Sequence, residues 1–266
     1  MVQEGHVLDL GLFGKQVVVT GAGRGIGLAI LRGFVAEGAH VTAGSLKITA
    51  ELDELARHGS VTPIEVDLAD PSGPEHLIEA AGDRIDVLVN NVGIAPSRPA
   101  GFLTVTDEMW NTTWNLNLMA AVRTTRAALP VMLATGAGAI VNTGSVNSRL
   151  ADPLVIDYSA SKAALANFAK SLSREFGPSG IRVNTVAPGP VATDLWLGPG
   201  GVAATVSAAN NVAPDDVAAG AARQMVTGRF SRPEEVADIV LLLASDRTAN
   251  VTGAEFTIDG GLLTTL

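Results

Sequence analysis

TGAGRGIG, residues 20–27, stands between a short β-branched run, Gln16–Thr20, and a helical pattern, Gly25–Glu37. Its glycines fit the spacing G-x-x-x-G-x-G at Gly21, Gly25 and Gly27, not the six-residue G-x-G-x-x-G pattern. Glycines at such a turn let the backbone leave a strand tightly and approach a pyrophosphate, which the free N–H groups of the helix then bind. The stretch therefore predicts a dinucleotide-binding turn after the first strand.

Short β-branched runs alternate with helical patterns along the rest of the chain. The predicted strands are Gln16–Thr20, His40–Ala43, Val61–Val66, Asp86–Val89, Ala139–Asn142, Ile181–Val186 and Glu255–Ile258. The predicted helices are Gly25–Glu37, Thr49–His58, Pro74–Ala81, Thr106–Leu133, Asp157–Phe176 and Pro233–Ala244. This alternation predicts a doubly wound α/β fold, in which helices cover both faces of a seven-stranded parallel sheet through right-handed crossovers.

One segment breaks the alternation. Gly189 to Met225 is rich in Gly, Ala, Pro and Asn and has no strong period. Long irregular segments inside compact domains are usually lids or binding loops, although some are surface excursions without a function. We therefore predict an irregular loop or lid over residues 189–225.

Composition excludes several functional classes. The net charge is −9 and the 18 basic residues form no cluster, so neither nucleic acid nor an anionic membrane is an expected partner. Without cysteine the chain has no disulfide and no thiolate, and its four histidines lack ligand spacing, so no metal site is expected. No apolar run approaches the ~18 residues of a membrane span, and Met1 to Leu12 lacks the pattern of a signal peptide. We expect a soluble, cytoplasmic protein.

Tyr158 is the only tyrosine and stands four residues before Lys162, in YSASK. One helical turn places the phenol and the ammonium on the same face. A nearby ammonium favours the phenolate, which predicts a lowered pKa for Tyr158. A phenol tuned in this way is suited to general acid–base work at a carbon–oxygen centre.

The second strand is followed by Ser45, Leu46 and Lys47, with no carboxylate before Glu51. An NAD-binding fold places an acidic residue here to bind the ribose 2′-hydroxyl, and its absence removes the repulsion against a 2′-phosphate. Ser45 can donate a hydrogen bond, and Lys47 and Arg24 can supply charge. This favours NADP over NAD. In the alternative, Lys47 begins a solvated helix and Arg24 points to water.

Further motifs follow in a fixed order: NNVG at residues 90–93, Asn117 in WNLNL, Ser145 in NTGS, Tyr158-x-x-x-Lys162, Pro188-Gly189, and DGG at residues 259–261. In their order and spacing, these motifs and the glycine turn resemble the short-chain dehydrogenase/reductase family, from Lys15 to Gly261. The resemblance implies a three-layer Rossmann fold with a single NAD(P)-binding domain over 1–266. It also implies that residues 189–225 form the substrate-binding loop or lid, and that the protein is a homotetramer.

The resemblance implies four catalytic residues. Tyr158 would be the general acid of reduction and the general base of oxidation, and Lys162 would lower its pKa and hold the nicotinamide ribose. Ser145, thirteen residues before Tyr158, would bind the substrate oxygen. Asn117 would hold a water that links Lys162 to solvent, unless it bridges buried backbone instead.

The resemblance also implies a cofactor-binding set along the carboxyl ends of the strands. It comprises Gly21, Arg24, Gly25, Ile26, Gly27, Ser45, Lys47, Asp67, Leu68, Asn90, Gly93, Tyr158, Lys162, Pro188, Gly189, Val191 and Thr193. Within this set, Asp67 would meet the adenine amino group and Thr193 the carboxamide. Two alternatives stay open: Asn90 as a strand-stabilising residue and Asp67 as an ordinary turn residue. Val92 departs from the family's usual alanine.

The expected reaction is the interconversion of a ketone and a secondary alcohol by hydride transfer (EC 1.1.1.-), with 3-oxoacyl reductase-like activity as one form of it. The alternative is a non-catalytic NAD(P)-binding regulator or scaffold, which predicts a broken catalytic tetrad. Residues 189–222 contain no Lys or Arg, and Leu195, Trp196 and Leu197 offer an apolar cover. We therefore expect a neutral or mainly apolar substrate, although Arg98 and Arg149 offer positive charge to an anionic one.

Overall fold

The computed structural model describes residues 9–265. The expectation that Met1 to Leu12 contains no signal peptide concerns residues that lie mostly outside this range. As predicted, seven strands form one parallel sheet, and their order in it is β3-β2-β1-β4-β5-β6-β7. They are β1 (Gln16–Thr20), β2 (His40–Ser45), β3 (Val61–Glu65), β4 (Val87–Asn90), β5 (Gly138–Thr143), β6 (Ile181–Pro188) and β7 (Glu255–Ile258).

Helices cover both faces of this sheet. They are α1 (Gly25–Ala36), α2 (Ala50–Ala56), α3 (Gly73–Ala81), α4 (Asp107–Trp114), α5 (Ala120–Thr135), α6 (Ile156–Phe176), α7 (Asp194–Leu197), α8 (Val202–Asn210), α9 (Pro214–Ala222) and α10 (Pro233–Ala244). On one face a core cluster includes Phe34 of α1 and Val240 of α10. On the other face a second cluster includes Leu77 of α3 and Met132 of α5. The predicted three-layer, doubly wound Rossmann fold is confirmed.

The centre of the sheet determines where a ligand can bind. Val17, Val18 and Val19 of β1 are buried on both faces, as a continuous apolar run predicts for a central parallel strand. β1 pairs with β2 on one side and with β4 on the other, so the strand order reverses at this point. Crevices at such a reversal, outside the carboxyl ends of the strands, are the usual ligand sites of open α/β sheets.

The helix predicted over Thr106–Leu133 is present as one helical run, but one turn inside it is π-helical. α4 ends at Trp114, and a π-helical turn, Asn115–Met119, precedes α5. The Asn115 side chain stabilises this wider turn, because its amide nitrogen donates to Ala69 O at 2.8 Å and its oxygen accepts from Arg123 at 2.6 Å. A single inserted turn of this kind leaves the apolar spacing of the flanking helices intact and was therefore not predicted.

The prediction of an irregular segment over residues 189–225 is wrong, because α7, α8 and α9 lie in it. Alanine gives α8 and α9 helix propensity without an apolar stripe. Pro214 at the first position of α9, followed by Asp215 and Asp216, is a helix-start signal. It was missed because the segment as a whole is rich in Gly, Pro and Asn, which are typical of loops. Within the described part of the chain, no helix combines the length and the apolar character needed to cross a bilayer.

Candidate active site

The glycine turn between β1 and α1 has the backbone geometry that its spacing predicts. Gly21 and Gly25 adopt positive φ angles of 66° and 55°, and a Cβ on Gly27 would overlap the carbonyl oxygen of Gly21. No side chain caps the N-terminus of α1 and no acidic residue lies in its first turn. Free N–H groups and the positive end of the helix dipole therefore face the crevice, which fits an anionic pyrophosphate.

Ser45 lies directly beside this turn. A Cβ on Gly23 would overlap its hydroxyl oxygen, and in the structure this hydroxyl donates to the carbonyl oxygen of Lys47 at 2.8 Å. Arg24 and Lys47 are both exposed, and neither forms an ion pair with a residue in the range 9–265. The end of β2 therefore offers a hydroxyl and the exposed Lys47 at the place where an acidic residue would select NAD, and the glycine turn adds the exposed Arg24.

Asp67 and Asn90 have protein partners that serve the fold. Asp67 is exposed after β3, and its Oδ1 accepts from Ala69 N at 2.8 Å, which shapes the turn around the buried Leu68. Asn90 is buried, and its amide nitrogen donates to Thr125 and Asn142 at 3.0 Å each. These two bonds support a strand-stabilising role for Asn90, while its Oδ1 is buried without a partner among the described residues.

The segment after β6 closes the opposite side of the crevice. Pro188 is buried at the end of the strand, and a Cβ on Gly189 would approach Asp259 Cβ to 2.9 Å. The buried Val191 forms an isolated bridge with Ser231. Thr193 then lies next to the glycine turn, since a Cβ on Gly25 would be 3.4 Å from its methyl group.

Lys162 and Tyr158 lie together on α6, as their spacing predicts. The ammonium nitrogen is 5.7 Å from the centre of the phenol ring and donates to Thr143 O at 2.8 Å. Burial of Lys162 lowers its pKa to about 8. Burial of the phenol raises the pKa of Tyr158, and nearby Ser145 lowers it only in part. The predicted lowering of the Tyr158 pKa by Lys162 is therefore wrong for the protein alone, because desolvation outweighs the effect of neighbouring groups.

Ser145 is buried at the start of a 3-10 turn after β5. Its hydroxyl donates to Asn147 Oδ1 at 3.2 Å and accepts from the backbone N–H of Asn147 at 3.2 Å. Sequence reasoning did not single out Asn147. Its side chain gives the Ser145 hydroxyl a partner within the protein, which a ligand oxygen can replace.

Asn117 is fully buried in the π-helical turn and binds the segment after β4. Its Oδ1 accepts from Ile94 N at 2.7 Å, and its amide nitrogen donates to Ile94 O at 2.9 Å and Ser161 Oγ at 3.1 Å. A Cβ on Gly93 would lie 2.9 Å from Asn117 Oδ1 and 3.5 Å from Lys162 Nζ. The absence of a Cβ therefore lets the backbone of Gly93 lie close to both groups.

Asn91 is a residue of the site that sequence reasoning quoted but did not assign. Its amide nitrogen donates to Thr20 O at 3.1 Å, and its Oδ1 accepts from Thr143 Oγ1 at 3.3 Å. Asn91 thus joins the ends of β1 and β5 directly below the glycine turn. Its position in NNVG, at the end of a central strand, was the sequence feature that could have assigned Asn91 to the site.

Comparisons with known proteins agree with this geometry. A family model described as enoyl-(acyl carrier protein) reductase matches residues 21–263. 3-Oxoacyl-[acyl-carrier-protein] reductase FabG of Thermotoga maritima is 35% identical over 95% of this chain and 99% of its own length. Mouse L-xylulose reductase is 36% identical over 97% of this chain and 100% of its own length. The chain belongs to the short-chain dehydrogenase/reductase family. This confirms the predicted family and its oxidoreductase chemistry.

Two solved members of the short-chain dehydrogenase/reductase family have closely similar folds. L-sorbose reductase from Gluconobacter frateurii, complexed with NADPH and L-sorbose, gives a TM-score of 0.88 at 34% identity, over 97% of this chain and 100% of that chain. A putative NAD(P)-dependent gluconate 5-dehydrogenase from Beutenbergia cavernae, with NADP at low occupancy, gives a TM-score of 0.86 at 36% identity. The match covers 97% of this chain and 100% of that chain. These likenesses support a nicotinamide cofactor for this family member.

Proposed function

We propose that this protein is an NADP-preferring reductase that interconverts a neutral ketone and a secondary alcohol, with Tyr158 as the general acid–base. The observation that carries the proposal is the convergence of Tyr158, Lys162, Ser145 and Asn117 beside an uncapped helix N-terminus. A non-catalytic regulator would not need all four side chains, and the placement of Tyr158 beside a buried lysine favours the enzyme.

The residues around the crevice fit the cofactor. The bound nicotinamide supplies the hydride. The uncapped N-terminus of α1 binds the pyrophosphate, while Ser45, Arg24 and Lys47 bind a 2′-phosphate. Preference for NADP is supported by the free charges of Arg24 and Lys47 and by the lack of a carboxylate at the end of β2.

Ser145 and Tyr158 have different roles towards the substrate. In reduction, the Ser145 hydroxyl leaves Asn147 and donates to the carbonyl oxygen, which fixes the ketone. Tyr158 is protonated at neutral pH, as an ordinary phenol is, and burial raises its pKa further, so it can donate its proton to the same oxygen. In oxidation it takes the proton back.

Lys162 and Asn117 support Tyr158. One N–H of Lys162 bonds Thr143 O, which leaves two donors for the ribose hydroxyls. Gly93 lies close to both Asn117 Oδ1 and Lys162 Nζ, and we assign to the neighbourhood of these two residues the water that returns a proton from solvent.

The charges near the crevice favour a neutral substrate. Arg98 is paired with buried Asp157, and Arg149 with Glu255 at 3.0 Å, so neither arginine is free to bind an anion. Pro99 and α8 line an apolar cleft, and we assign substrate binding to it and to the lid over residues 189–225. The names of L-xylulose reductase and L-sorbose reductase point to neutral keto sugars. A 3-oxoacyl thioester is the second candidate, favoured by the 35% identity with FabG.

A homotetramer is the proposed assembly. Phe102, Leu103, Met109 and Trp114 expose large apolar side chains on and before α4. Contact between subunits would remove this surface from water. Light scattering after size exclusion tests the proposal, and a monomer would reject it.

The function is tested by measuring NADPH and NADH binding and then following nicotinamide absorbance with L-xylulose, L-sorbose and acetoacetyl thioesters. We expect tighter binding of NADPH and faster reduction of a neutral ketone. In Tyr158→Phe, turnover should fall by roughly 10²–10⁴-fold while NADPH binding persists. Undiminished turnover in Tyr158→Phe would refute the mechanism, and preference for NADH would refute the cofactor assignment.

A further inference from the structure

A buried ion pair joins Arg98 to Asp157, the residue immediately before Tyr158. Arg98 Nη2 lies 2.5 Å from Asp157 Oδ2, and Arg98 Nε lies 3.3 Å from Oδ1. Thr113 Oγ1 donates to Oδ2 at 2.6 Å. The carboxylate is fully buried and the guanidinium is 13% exposed. Three donor groups thus fix one carboxylate inside the protein.

These contacts join three segments of the site. Arg98 belongs to the segment after β4, and its backbone N–H also donates to Leu154 O at 2.6 Å, just before α6. Thr113 lies in α4, four residues before Asn117. Asp157 lies in the first turn of α6. The Asp157 carboxylate therefore connects α4, which leads to Asn117, with the first turn of α6, which carries Tyr158.

Stability alone does not account for this arrangement. Apolar residues of similar size usually stabilise a protein as well as a buried ion pair does, because removing two charges from water is costly. Burial alone would raise the pKa of Asp157, but the hydrogen bonds from Arg98 and Thr113 hold it below its ordinary value, so the carboxylate is charged at neutral pH. What the pair adds over an apolar contact is a fixed geometry.

We propose that Asp157, held by Arg98 and Thr113, is a positioning residue that fixes the first turn of α6 and the phenol of Tyr158 relative to Asn117. The functional meaning of this positioning rests on the proposed catalytic role of Tyr158. The placement itself does not, and it can be measured without turnover.

The test uses Thr113→Val, which keeps the volume of the side chain and removes its hydroxyl, with Thr113→Ser as the matched control that keeps it. Because Tyr158 is the only tyrosine, ultraviolet difference spectroscopy reads its ionisation alone. We expect the Tyr158 pKa in Thr113→Val to fall towards the ordinary value of ~10 as the phenol gains solvent, and Thr113→Ser to titrate like the wild type.

In a second measurement, kcat of Thr113→Val should fall roughly tenfold through misalignment while the KM for NADPH stays unchanged. Thr113→Ser should restore kcat. Arg98→Lys keeps the charge but loses the two-point contact, so it should show the same titration shift and provides the test if Thr113→Val does not fold.

The outcomes separate the two proposals. A wild-type protein that reduces no ketone would count against the proposed function, while the Tyr158 titration would still decide the positioning role. Wild-type titration of Tyr158 in both Thr113→Val and Arg98→Lys would overturn the positioning role and leave the function standing.

Discussion

The ammonium nitrogen of Lys162 lies 5.7 Å from the centre of the Tyr158 ring, in a region where burial favours the neutral form of both groups. The pKa of the lysine is lowered to about 8 and that of the tyrosine is raised. Near neutral pH, Tyr158 therefore keeps the proton that reduction needs. Of these two groups, only Lys162 changes charge close to the physiological range.

This difference predicts a pH dependence of cofactor binding. Below pH 8 Lys162 is charged and offers two free donors, and above pH 8 it loses one donor and its charge. Where binding needs the charged form, the NADPH dissociation constant should rise with pH, by up to about tenfold per unit above 8. Titration by nicotinamide fluorescence checks this. Lys162→Met should bind NADPH weakly, and its dissociation constant should show no inflection near pH 8. If the inflection persists in Lys162→Met, another group titrates there.

Gly93→Ala should impair both stability and turnover. The new Cβ would lie 2.9 Å from Asn117 Oδ1, so Asn117 must shift from its contact with Ile94. We expect a loss of about 1–3 kcal/mol in the free energy of unfolding and a lower kcat. Gly177→Ala is the control, because φ is −54° there and a Cβ would meet no atom within 4 Å. Equal effects of the two substitutions in urea unfolding and steady-state assays would contradict this account.

Ser45→Asp should reverse the cofactor preference. A carboxylate beside the glycine turn would repel a 2′-phosphate and accept hydrogen bonds from a ribose 2′-hydroxyl. We expect kcat/KM for NADPH to fall by roughly ten- to a hundredfold, which corresponds to 1.4–2.8 kcal/mol, and that for NADH to rise. Ser45→Asn is the uncharged control of similar size. If NADPH remains favoured in Ser45→Asp, the 2′-phosphate does not lie at this position.

Phe230→Ala should weaken substrate binding more than cofactor binding. The Phe230 ring packs edge-on against Trp196 of α7, with centroids 5.1 Å apart, and so holds the start of the segment 189–225 that we propose as a lid. Such aromatic pairs contribute about 0.5–1.5 kcal/mol beyond their area burial, so KM for the ketone should rise several-fold. The NADPH dissociation constant should stay within about twofold of the wild type, and a larger change in it would show that the lid also holds the cofactor.

The sequence predicted the sheet because its strands carry a local signal. Val17, Val18 and Val19 form a continuous apolar run, and such runs belong to strands buried on both faces. The glycine turn and the Tyr158–Lys162 pair were predictable for the same reason, since each depends on spacing within one or two turns of the chain.

The remaining features depend on contacts between distant residues. Arg98 and Asp157 are 59 positions apart, so only the folded chain shows that they neutralise each other. The direction of the Tyr158 pKa shift was missed because it depends on how much water reaches the phenol, which a helical spacing does not reveal. The π-helical turn likewise depends on Asn115 reaching Ala69.

The base of the lid has an evolutionary consequence. Ala192 N donates to Ser231 O at 2.9 Å and Ser231 N donates to Pro190 O at 3.1 Å, so the chain leaves the sheet and returns to it at one point. The entropic cost of closing a loop grows only slowly with the length of the loop, so an insertion between these ends costs little stability. Descendants of this chain can therefore exchange or resize the intervening helices and acquire new substrates, while the strands that hold the reacting groups keep their register.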